Sequence, residues 1–374
     1  MSLRPRTKRT AAIRRTSPSL REPGLARFLF VLYLLLVAYA SLYPLSGWRD
    51  AGAPALAFLG APWPRYVTAF DVLANFFGYL PYGLLCVLAL RPRVAGAVAV
   101  LAAAASGGVV SLALETAQSF LPARIPSNLD VLANLCGATV GGFAALRGQP
   151  WLAPDGPLSR LRARAFAPGA ATDLGLALLG LWLFAQLNPA SLLFGAGDLR
   201  DLFAGAVGER HEAELFVSVE AAVAAANLAA VALLASAVAR PQAPRLRLAA
   251  ALAGVALAVK AFSFAVLMQA EHVLAWLTPG AQLGLAAGVA LSLAALWLPV
   301  TARLAIAAVL LMAATVLVNL SPPNPYFAAT LKVWEQGHFL NFNGLTRFVS
   351  ASWPFVALGY LVYLAAARLR DPVR

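Results

Sequence analysis

The sequence predicts an all-α, polytopic transmembrane helix bundle of about ten membrane-spanning helices, and three observations predict it. Of 374 residues, 61% are hydrophobic and 12% charged, whereas a soluble domain is roughly half apolar and a quarter charged. Ten apolar runs approach or exceed the length of about 17 to 25 residues that crosses a bilayer. Lys and Arg concentrate in alternate connections, as the positive-inside rule requires.

The runs are 28–45, 70–90, 94–120, 129–146, 172–194, 215–238, 247–270, 281–298, 302–320 and 349–367. Residues 1–27 precede them as a basic arm with eight Lys and Arg and too few apolar groups to fold alone, so a disordered cytoplasmic arm is expected. Ala38-Tyr39-Ala40 has the form of a leader cleavage site. The long charged region and the near-spanning run from Phe28 to Leu45 favour an uncleaved first helix. With the N-terminus inside, cytoplasmic segments hold 21 basic residues and outer segments 7, with Lys260 inside a helix. Both termini are therefore expected to be cytoplasmic. The same alternation accounts for the net charge of +13, so membrane lipids are expected partners and nucleic acid is not.

Residues 28–147 form a first unit of four helices. Residues 148–171, basic and bearing Pro150, Pro154, Pro157 and Pro168, read as a cytoplasmic linker. Residues 172–374 form a second unit of about six helices with an outer loop, 321–348, rich in Asn, Pro and aromatics. Cys86 and Cys136 read as packing residues rather than a disulfide. His211, His272 and His338 have no ligand spacing, and there is neither a nucleotide loop nor a G-x-S-x-G motif, so neither a metal nor a cofactor is expected.

Polar residues cluster between Ser111 and Gly142. Asp71 to Gly78 reads D-V-L-A-N-F-F-G and Asp130 to Gly137 reads D-V-L-A-N-L-C-G, an offset of 59 residues. In a helix Asp71, Asn75, Gly78 and Tyr82 share one stripe, as do Asp130, Asn134, Gly137 and Gly141. Ser111, Glu115 and Gln118 share another at the outer end of the intervening helix, and Arg124 lies in the connection beyond it. Asp71, Glu115 and Asp130 then lie at one membrane level. Three neighbouring carboxylates repel, so an Arg, a cation or a shared proton is expected among them. One reading is an outward-facing polar pocket of Asp71, Asn75, Glu115, Gln118, Arg124, Asp130 and Asn134. The other is structural: Asp as a first-turn cap, Asn and Gln as interhelical hydrogen bonders, Gly as a packing residue. Glu115 is the hardest to explain structurally, because a helix C-terminus disfavours negative charge. Lys260, mid-helix, is a secondary candidate for an ion pair or pathway.

The pattern D-x-x-x-N-x-x-x-Y-L-P-Y-G from Asp71, S-x-x-x-E-x-x-Q from Ser111, and R-x-x-x-x-x-D-x-x-x-N-x-x-G-x-x-x-G from Arg124 resembles the VanZ-like family. The likeness covers roughly Phe28 to Arg147, and it places the family's polar positions on Asp71, Asn75, Pro81, Gly83, Glu115, Gln118, Arg124, Asp130, Asn134 and Gly137. The family's prototype is an accessory protein of glycopeptide-resistance gene clusters that raises teicoplanin resistance. The resemblance implies a multi-pass protein of the bacterial cytoplasmic (inner) membrane with a cell-envelope role and an associated antibiotic-resistance context, with a lipid-linked or cell-wall precursor as a candidate partner. Three functions stay open: a non-enzymatic protein that binds an envelope component, a membrane enzyme using Glu115 or Asp130 on an outer-leaflet lipid-linked precursor, and a proton-coupled transporter using the carboxylates and Lys260.

Overall fold

The structure, a computed structural model, describes residues 24–50, 52, 54–63, 68–91, 93–152, 156–200, 213–267, 273–321, 324 and 340–370. Residues 1–23 of the basic arm, most of the loop 321–348, and His211, His272 and His338 lie outside the described residues.

The described residues are helical. Four long helices come first: α1 (Leu25–Leu42), α2 (Ala69–Leu90), α3 (Gly96–Gln118) and α4 (Asn128–Arg147). Two short ones follow, α5 (Gln149–Leu152) and α6 (Pro157–Ala165). The remainder is α7 (Ala170–Ala185), α8 (Ala213–Val238), α9 (Arg245–Leu267), α10 (Pro279–Ala295), α11 (Val300–Leu320) and α12 (Leu340–Arg370). Each of the ten apolar runs overlaps one of these helices. Eight of them, α1 to α4, α8, α9, α11 and α12, are long and apolar enough to cross a membrane. The other two, α7 and α10, have 16 and 17 residues, about 24 to 26 Å at 1.5 Å per residue, against a hydrocarbon core of about 30 Å. Leu101, Val109 and Val309 are 68%, 67% and 68% exposed, an apolar exterior suited to lipid rather than water. The architecture is that of a multi-pass membrane protein.

In the first bundle α2 and α4 approach until their backbones touch. Gly137 and Gly141 of α4 lie against the carbonyl groups of Phe76 and Leu80, and Gly83 of α2 lies against that of Ala138. A Cβ at any of these positions would collide with backbone, so only Gly permits this packing. The contact partners advance together along both chains, so α2 and α4 run parallel, with α3 antiparallel beside them. One face of α1 packs Phe30, Tyr33, Leu34 and Val37 on the first bundle's core. Its far end packs Leu36, Tyr39 and Ala40 on Ala185, Leu345 and Val349 of the second. In the second bundle α8 is central: 89% of its spanning window is buried.

Three boundaries differ from the sequence expectation for identifiable reasons. The linker 148–171 contains α5 and α6, because Pro157 occupies the first turn of α6, where its missing N–H costs nothing; Arg162 of α6 pairs with Asp173 of α7. The run 172–194 is helical only to Ala185. Beyond it Asn188-Pro189 turns the chain, and the unwound backbone is held by donors from elsewhere: Lys260 Nζ donates to Asn188 O (2.7 Å), Ser191 O (2.7 Å) and Ser191 Oγ (3.0 Å), and Ser263 Oγ donates to Leu187 O (2.5 Å). The last helix begins at Leu340 rather than near 349, since Phe342 and Leu345 continue its apolar face onto Phe184 and Ala185.

Candidate functional site

The candidate site lies where α2 and α4 begin and α3 ends. Both α2 and α4 start with the pattern hydroxyl-x-x-Asp, Thr68 to Asp71 and Ser127 to Asp130, the signature of a capping box. The offset of 59 residues therefore extends from the helical repeat back into the caps.

At α2 the box closes within its own segment. Thr68 Oγ1 accepts from the Asp71 N–H (3.1 Å), and Asp71 Oδ2 accepts from the Thr68 N–H (3.2 Å) and hydroxyl (2.7 Å). Asp71 is a helix cap. At α4 the box is taken over by another helix: Ser127 Oγ accepts from the Leu129 N–H at 3.2 Å, but the Ser127 N–H donates to Glu115 Oε2 at 2.9 Å. Glu115 is 4% exposed, at the end of α3. Its unfavourable position at a helix C-terminus is offset by the bond to a helix N-terminus, the end that favours an anion.

The Asp130 carboxylate is thereby released from capping. It is half-buried, the Asn75 amide of α2 reaches it, and the Asp71 and Glu115 carboxylates lie close enough for their charges to act on it. One turn deeper, Asn134 Nδ2 donates to Ser111 Oγ at 2.9 Å. The hydroxyl of Tyr79, on α2, faces Ser111 and Glu115, and Asn134 Oδ1 is buried without a hydrogen-bond partner among the described residues. An unpartnered group of this kind is uncommon in a folded interior.

Arg124 and Gln118 belong to the same end of the bundle but face α1. Arg124 donates to Tyr43 O (3.1 Å) and Ala40 O (2.8 Å), and Gln118 Nε2 donates to Ser41 O (2.9 Å). Together they satisfy carbonyl groups that the end of α1 leaves open. Burial pulls the Arg124 guanidinium below its usual value, and the nearby Glu115 charge opposes that. No ion pair joins it to a carboxylate among the described residues. Lys260 lies in the second bundle, pinning the unwound segment after α7, and is not brought to this site.

The structure thus gathers Asn75, Glu115, Asp130 and Asn134 around one locus, with Asp71 and Arg124 at its edge. It adds Tyr79 and Ser127, which the sequence reading did not single out. Tyr79 had a local signal, its place as the first residue of Y-L-P-Y-G in the motif that begins at Asp71. Ser127 had one, the capping signature that ends at Asp130. Among the described residues no three His, Cys, Asp or Glu side chains converge as metal ligands.

Residues 30–147 match the VanZ/LLP1 family model, a stretch running from within α1 to the last residue of α4, in agreement with the resemblance read from the motifs. No curated protein and no solved structure matches the chain.

Proposed function

Starting from α1 to α4 as a VanZ-family domain, we propose that the protein is a bacterial cell-envelope membrane protein whose site at the start of α2 and α4 binds the polar part of an envelope component in the outer leaflet. The observation that carries this reading is the Asp130 carboxylate, which sits at a helix start without serving as its cap and, among the described residues, has the Asn75 amide as its hydrogen-bonding neighbour. Asn134 Oδ1, one turn deeper on α4, adds hydrogen-bonding capacity unused among the described residues. Arg124 is engaged with α1, so the locus is rich in acceptors. It suits a ligand that presents hydroxyl or amine donors, such as the saccharide or amino groups of a lipid-linked or cell-wall precursor.

The test is precursor profiling in cells lacking the protein, complemented at matched expression. Wild type restores the profile, and Asp130→Asn leaves it as in the empty strain. Glu115→Gln retains part of the function, because the amide oxygen still accepts from Ser127. An Asp130→Asn profile identical to wild type refutes the site.

A further inference from the structure

The second bundle carries a separate cluster of charge at the end where α8 and α10 finish, α9 and α11 start and α12 closes. A cleft of about 440 Å³ opens there, lined among others by Ser236, Arg245, Trp297, Pro299, Arg303 and Arg368. Three arginines thus come to it from three helices. Arg303 is only 4% exposed. Its Nη1 donates to Ser236 Oγ at 2.6 Å, while its Nε is buried without a partner among the described residues. Among the described residues Arg245 and Arg368 each reach a single carbonyl group, Leu296 O at 3.5 Å and Ala237 O at 3.3 Å, and their charges are near enough to act on Arg303. The ion pairs among the described residues, Arg162 with Asp173 and Arg200 with Asp198, involve none of the three.

Gathering two cations around a third that is largely buried is unfavourable unless an anion joins them. The backbone points to the same charge. The 21-residue α11 begins at this cleft with no side-chain cap and no acidic residue in its first turn, so its positive end and free N–H groups face the same space. Guanidinium groups suit phosphate because their planar fork donates two parallel hydrogen bonds to it. The surroundings say where the phosphate comes from. The cleft sits where spanning helices end, the level of lipid headgroups, and Trp297 beside it is 78% exposed, as interfacial anchors are.

We propose that this cleft is a binding site for the phosphate of an anionic lipid headgroup, held by Arg303 with Arg245 and Arg368 at its rim. The experiment is native mass spectrometry of the full chain in neutral detergent, titrated in parallel with phosphatidylglycerol and phosphatidylcholine. Wild type retains one phosphatidylglycerol in preference to phosphatidylcholine, and Arg303→Gln reduces that preference on the order of tenfold, the loss of one charge-assisted contact. Arg368→Gln, at the half-buried rim, weakens it as well and serves if Arg303→Gln does not fold. Arg164→Gln, exposed on α6, leaves it unchanged. Equal retention of the two lipids, or a preference that survives both Arg303→Gln and Arg368→Gln, overturns the proposal. Inorganic phosphate at the lipid's concentration fails to displace phosphatidylglycerol; displacement at parity assigns the site to free phosphate and overturns the lipid.

Discussion

The starts of α2 and α4 have nearly the same sequence, a hydroxyl residue, two others, and then D-V-L-A-N, yet they do different things. Asp71 closes its own capping box with Thr68. Asp130 does not, because Glu115 from the end of α3 already holds the Ser127 N–H. The difference lies in a neighbour, not in the segment. A residue type that is structural at one copy of the motif becomes available for binding at the other because a third helix supplies the cap. The glycines diverge in the same way: Gly137 is pressed against the backbone of Phe76, whereas its counterpart Gly78 has open space where a Cβ would go.

The largest effect separates those glycines. Gly137→Leu has no room against α2 and removes folded protein, seen as loss of the monodisperse peak on size exclusion in detergent. Gly78→Ala folds normally and gains up to about 1 kcal/mol from helix propensity. If both behave alike, the close approach of α2 and α4 is wrong.

Next comes the shared cap. Glu115→Ala leaves the buried Ser127 N–H unpaired and lowers stability by about 1 to 3 kcal/mol, read by thermal melting in detergent. Glu115→Gln, which keeps an acceptor, costs less. An Ala variant as stable as wild type removes Glu115 from the cap.

Smallest in stability are the two aspartates. Asp71→Ala loses a cap partner worth about 1 kcal/mol. Asp130→Asn, which caps nothing, stays within about 0.5 kcal/mol of wild type. Equal losses at the two positions would mean that Asp130 also caps its helix and is not set aside for binding.

Much of this was legible in the sequence. Each of the ten apolar runs overlaps an apolar helix among the described residues, eight of them long enough to span, because such a helix declares itself by length and composition alone, and the polar stripes follow from helical spacing. The site was legible as a set of residues rather than as a set of roles. Which carboxylate caps and which is free depends on the Glu115 to Ser127 contact, between the end of one helix and the start of the next. Arg124 offered a counter-ion by charge, but the open carbonyl groups at the end of α1 claimed it. Pro157 read as a breaker although it starts α6, and the run after Ala185 read as helix because its apolar composition conceals that Lys260 and Ser263, more than sixty residues on, satisfy its unwound backbone. Arg303 carries no local signal of a site, since only folding brings Arg245 and Arg368 to it.

The measurement that goes to the centre of this account is precursor profiling of the deletion strain complemented with Asp71→Asn or Asp130→Asn at matched expression. The account predicts a wild-type profile with Asp71→Asn and the profile of the empty strain with Asp130→Asn. Two variants with the same profile, whether both restored or both lost, would contradict it.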